Sequence, residues 1–161
     1  MVPLRHLGTF LLALGVIGLV RLIPELHELQ SSKTVYWIVV VLDTVLSAMT
    51  ISAGQGLRRG SPWAPRLALW ATGLVLTTSL GWGVLLTPEV VRGLEYYRSS
   101  YNWVLVPRLL FYMIAIVFIP YAFWVIVASA PKESRKSYRL TFGSSLFVGA
   151  VTMAVLYVSF R

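Results

Sequence analysis

Five stretches of this chain are apolar for long enough to cross a lipid bilayer, and this constrains the fold more than anything else in the sequence. They cover residues 7–23, 35–56, 65–87, 103–130 and 140–160. Each approaches or exceeds the roughly 20 residues a helix needs to cross ~30 Å of hydrocarbon. Backbone groups in lipid must be satisfied within their own segment or in a closed barrel. No period-two alternation competes, so the runs are predicted to be helices. The expected fold class is all-α: a single polytopic transmembrane helical bundle over residues 1–161, with five spans. The first run is the shortest, and a four-span arrangement with that helix tilted or interfacial is the alternative.

Composition agrees. The chain is 57% hydrophobic and only 12% charged, more apolar than a soluble domain of this size could bury. It has no cysteine, which excludes disulfides, thiolate nucleophiles, iron–sulfur clusters and cysteine-ligated zinc. Arg5 ahead of an apolar run looks like the start of a signal peptide. Arg21 inside that run, and the lack of a small-x-small site before Pro24, point instead to an uncleaved span.

The net charge of +8 lies between the apolar runs, where it reports on topology and anionic lipid rather than nucleic acid. Arg5, Arg58, Arg59, Arg66, Lys132, Arg135, Lys136 and Arg139 fall on one side. Lys33, Arg92, Arg98 and Arg161 fall on the other, with Arg21 and Arg108 near helix ends. The positive-inside rule predicts an N-in, C-out protein of a cytoplasmic membrane. The basic segments Arg58–Arg66 and Lys132–Arg139 are read as loops that set topology and can contact lipid headgroups or an acidic partner. Aromatic residues fit these boundaries, with Tyr36, Trp37, Trp82 and Tyr101 at the outer interface and Trp63, Trp124 and Tyr138 at the inner one. After Pro88, residues Val90, Val91, Leu94, Tyr97 and Tyr101 share one helical face, which predicts a short outer interfacial helix.

Asp43 is the most informative single residue. It lies about 12 Å into the second span at 1.5 Å per residue, where a carboxylate must face protein or water. Ser47, Thr50 and Gly54 follow on the same face, so this stripe is expected to face the bundle interior. Arg108 and Arg21 are the candidate partners. An ion pair that fixes helix packing is the simpler reading, because no second intramembrane acid accompanies Asp43. A proton, ion or substrate site is the functional alternative. Gly73, Thr77 and Gly81 in the third run, and Thr141, Ser145, Gly149 and Thr152 in the fifth, form small-residue stripes that let helix backbones approach closely. Pro120 interrupts the fourth run and is expected to kink it.

The remaining motifs argue against chemistry. Gly54–Gly60 departs from the spacing of a phosphate loop and follows a membrane helix, so it reads as a helix end and turn. His27-Glu28 lacks the second histidine of a zinc-protease motif. The two histidines, His6 and His27, lie outside the spans, which excludes bis-histidine haem ligation within the chain. No catalytic residue, metal site or cofactor is expected.

Two short segments carry resemblances. Gly56–Leu69 resembles an inner loop common in uncharacterised small bacterial membrane proteins, which implies a bacterial cytoplasmic membrane and no particular activity. Pro120-Tyr121-Ala122-Phe123-Trp124 is similar to part of the last helix of the tryptophan-rich sensory/translocator family, five-helix proteins whose likeness would imply a porphyrin or sterol-like ligand. Here the segment lies in the fourth run, and that family's tryptophan–proline-rich first half is not recognisable. The functional expectation is a non-catalytic membrane subunit or scaffold that packs against other membrane proteins or further copies of itself. The alternative is a small transporter, channel or lipid-ligand binding protein with an outer-half site at Asp43.

Overall fold

Where a helix stops shows how locally this chain is instructed. The second helix ends at Arg59, and Gly60 follows at φ +72°, a left-handed conformation that favours glycine. The Gly60 amide donates to the Leu57 carbonyl (3.3 Å) and the Ser61 amide to the Gly56 carbonyl (2.9 Å), the paired bonds of a Schellman cap. Arg58 and Arg59 sit in the last turn, where the negative end of the helix dipole favours cations. The expected helix end and turn is therefore present.

The computed structural model describes the backbone of residues 2–28, 34–96 and 102–160. Within these it describes the side chains of residues 3–20, 22–23, 37–38, 40–81, 113–114 and 116–158. The described chain is all-helical. Its elements are α1 (Val2–Glu28), α2 (Thr34–Arg59), α3 (Ala64–Tyr96), α4 (Asn102–Ser129) and α5 (Lys132–Phe160). Among the described residues, three segments are long and apolar enough to cross a membrane: Pro3–Val20, Val40–Arg59 and Lys132–Val158. A shorter apolar helical stretch covers Ile116–Ser129. This is a membrane-embedded helical protein.

The helices outrun the apolar runs, most clearly at the prolines and at the start of α5. Pro88 was expected to begin a separate interfacial helix, but α3 continues through it to Tyr96 as one element, and residues 97–101 lie outside the described part. α1 likewise continues through Pro24 to Glu28. Proline removes one backbone bond and crowds one carbonyl, but helix-forming sequence on both sides can carry the helix past it. α5 begins at Lys132 rather than at Leu140, so the expected basic loop is instead the first two turns of a helix. The Ser134 amide donates to the Pro131 carbonyl at 2.9 Å, and Glu133 sits in the first turn, where it complements the dipole.

α1 and α2 form the most extensive helix pair, and α3 lies at the centre against α2, α4 and α5. The α1–α4 and α4–α5 contacts are small. One stacked ring pair bridges each of them: Phe10 on Phe118 (centroids 3.5 Å) and Phe123 on Phe142 (4.5 Å). The larger core cluster gathers Leu7 and Leu11 of α1, Ala53 and Leu57 of α2, Ala64, Ala68 and Leu69 of α3, and Ala122, Val125 and Ile126 of α4. Tyr138 and Phe142 of α5 pack against it. A second cluster joins Leu46, Val75 and Ile119. The first cluster thus marks one end of the bundle, where α1, α3 and α5 begin and α2 and α4 end.

Candidate functional site

The polar stripe of α2 is buried, as its spacing required. Asp43 is 9% exposed, Ser47 8% and Thr50 3%. The Thr50 hydroxyl donates to the Leu46 carbonyl at 2.7 Å, which satisfies it inside its own helix. Ser47 lies against α1: a Cβ added at Gly18 would come 2.5 Å from its hydroxyl, and one added at Gly15 would come 2.9 Å from its carbonyl oxygen. Gly54 meets the backbone of α1 itself. A Cβ there would stand 2.6 Å from both the Gly8 carbonyl oxygen and the Leu12 nitrogen. Asp43 is itself engaged in a polar or electrostatic interaction.

These contacts also fix the register of the antiparallel α1–α2 pair. Gly8 faces Gly54, and Gly15 and Gly18 face Ser47. Following both backbones for one more turn brings residues 21 and 22 of α1 level with Asp43, and Leu22 there is 4% exposed. Arg21 and Arg108 lie in α1 and α4, and both side chains fall outside the described residues. Their backbone levels differ. Leu46, Val75 and Ile119 share one cluster. From that level Asp43 lies three residues toward the far end of the bundle and Arg108 eleven residues, a separation of about 12 Å in depth at 1.5 Å per residue.

The other two small-residue stripes meet each other. Gly73 lies opposite Ser145, Thr77 opposite Gly149 and Gly81 opposite Met153, so α3 and α5 run parallel with the same offset at each level. A Cβ on Gly73 would overlap the Ser145 hydroxyl, and one on Gly149 would overlap that of Thr77. Ser145 is fully buried and donates to the Phe142 carbonyl (2.7 Å) and across the contact to the Leu69 carbonyl (3.3 Å). Thr141 and Thr152 bond back into α5, to the carbonyls of Ser137 and Val148.

The basic residues gather at the end marked by the larger core cluster. Arg5, Arg58, Arg59, Arg66, Lys132, Lys136 and Arg139 are exposed there, and Glu133 is the one acid among the described residues of this end. Arg135 is used differently. Its Nε donates to the Ala130 carbonyl (3.2 Å) and its Nη2 to the Ala128 carbonyl (3.3 Å), so its guanidinium caps the end of α4. Nothing in the residue pattern marked Arg135 off from its basic neighbours. The glycines of α1 that receive Ser47 were also missed, although Gly8, Gly15 and Gly18 share a helical face.

Among the described residues, no group of three or more histidines, aspartates or glutamates could hold a metal ion. The arrangement joins helices through small and hydroxyl side chains and concentrates cations at one end. No family model, curated protein or solved structure matches this chain.

Proposed function

We propose that this chain is a non-catalytic, five-span subunit or scaffold of a bacterial cytoplasmic membrane, packing against other membrane proteins or further copies of itself. One observation carries the reading: the polar and small-residue stripes are consumed inside the chain, while large apolar side chains face outward. α4 turns out Met113, Val117, Tyr121 and Trp124 at helical spacing. Its most extensive contact is with α3, and this outward face is left for lipid or a neighbouring protein. The cationic end supports an N-in, C-out orientation by the positive-inside rule.

Photocrosslinking tests the docking face. With the crosslinker at Val117 or Tyr121, the protein in its native membrane is expected to yield a discrete protein adduct, whereas a crosslinker at Val16 on α1 yields lipid adducts. Lipid adducts at all three positions, together with a stable isolated monomer in mild detergent, would overturn the proposal.

A second reading, transport or ligand binding at Asp43, draws on a carboxylate buried at mid-helix. The α1–α2 register favours an ion pair with Arg21 instead. Asp43→Asn and Arg21→Gln are then expected to be non-additive, with a coupling of roughly 0.5–3 kcal/mol in thermal stability. Asp43→Asn and Arg108→Gln are expected to add. A fully folded Asp43→Asn protein that has lost ligand binding would favour the second reading.

A further inference from the structure

Glycine inside an exposed helix position lowers helix stability by about 1 kcal/mol relative to alanine, so a helical glycine usually has a packing reason. In this protein the reason is visible at eight described helical glycines. A Cβ at Gly8, Gly15, Gly18, Gly54, Gly56, Gly73, Gly81 or Gly149 would press on an atom of another segment. Gly143 is different: a Cβ there would meet nothing within 4 Å. It lies on the outward side of α5, opposite the buried Ser145.

The residues in line with Gly143 complete the picture. Lys132, Lys136 and Arg139 precede it at spacings of four and three, on the same side of the helix, and all three are exposed. Phe147 follows one turn later at 71% exposure. Down this single stripe, three cations give way to an open notch and then to a projecting aromatic ring. α5 is one of the three helices able to cross the bilayer, so the cations stand where headgroups lie and the notch stands at the start of the acyl region. Arg135, off this stripe, is held by the carbonyls of α4 and leaves the other three cations free to act together. Glu133 is the one acid in this part of α5.

We infer that the outward stripe of α5 is a seat for one anionic phospholipid. The phosphodiester lies among Lys132, Lys136 and Arg139, and an acyl chain runs through the notch at Gly143 onto Phe147. Charge complementarity selects an anionic headgroup over a zwitterionic one, and the missing side chain lets the first methylenes lie close to the helix. The seat does not depend on which protein, if any, covers α4.

Native mass spectrometry of the full chain, titrated with phosphatidylglycerol or phosphatidylcholine, tests this. The Lys132→Gln/Lys136→Gln/Arg139→Gln variant is expected to lose about tenfold or more in phosphatidylglycerol affinity. Arg58→Gln/Arg59→Gln/Arg66→Gln removes the same charge from the same end and is expected to change it less than about threefold. Gly143→Leu leaves the charge untouched, fills only open space, and is expected to weaken phosphatidylglycerol binding severalfold. Equal losses in the two triple variants would mean a diffuse field and overturn the seat. So would unchanged phosphatidylglycerol affinity in Gly143→Leu, or wild-type protein binding phosphatidylcholine equally well.

Discussion

Two helix contacts hold this bundle by close approach, and they are built differently. In the antiparallel α1–α2 pair, glycine meets backbone at one end, where Gly54 faces the Gly8 carbonyl and the Leu12 amide, and side chains of Ser47 and Ile51 further along, at Gly18 and Gly15. In the parallel α3–α5 pair, glycine meets a side chain at every level: Ser145, Thr77 and Met153 fill the spaces at Gly73, Gly149 and Gly81. A side chain can turn away from an intruding methyl group, whereas a helix backbone can move only by shifting the whole helix. The Gly8–Gly54 crossing therefore sets a distance between helices, and the α3–α5 contact sets a register that small rearrangements can relieve.

Substitutions at the two contacts should separate these roles. Gly54→Leu is expected to have the largest effect, forcing α1 and α2 apart and costing more than the ~1–3 kcal/mol usual for overpacking. Thermal unfolding in detergent would show it as loss of a cooperative transition. A near-wild-type melt would mean that the α1–α2 distance is adjustable after all. Gly73→Ala comes next, at about 1–2 kcal/mol, because it drives against the bonded Ser145 hydroxyl. Adding Ser145→Gly should restore much of that loss, and failure to do so would show that the register is not set at this level. Gly81→Ala meets the flexible end of Met153 and should cost under about 1 kcal/mol. Arg135→Gln, outside both contacts, should cost about 0.3–1 kcal/mol by removing the charge at the α4 terminus, a loss measurable as a small shift in the same melt.

Much of the fold was legible because lipid imposes a simple rule on long apolar runs. The buried face of α2 was legible for the same reason: Asp43, Ser47 and Thr50 recur at helical spacing, and a carboxylate has no place against hydrocarbon. Helix ends were less legible. Lys132–Arg139 reads as a loop when hydropathy is the guide, yet charged residues form helix as readily as apolar ones. Hydropathy marks where lipid begins, not where the helix does. Pro88 misled in the opposite sense, since a proline disfavours a helix locally without compelling it to end. Within the candidate site, the role of Arg135 depends on the carbonyls of Ala128 and Ala130 lying across a tight turn, and no spacing rule encodes that.

The sequence by itself determined the all-helical class, the apolar surfaces suited to a membrane, the cationic end and the inward turn of the Asp43 stripe. These follow from periodicity and from the cost of polar groups in hydrocarbon. Only the tertiary structure decided that Gly73, Thr77 and Gly81 meet Ser145, Gly149 and Met153, and that the stripe of α2 is received by the glycines of α1. Lipid is as apolar as leucine, so transfer from water does not choose which helix lies beside which. Shape does, through bumps and gaps that must match across the contact, and that match becomes visible only when both helices are in place.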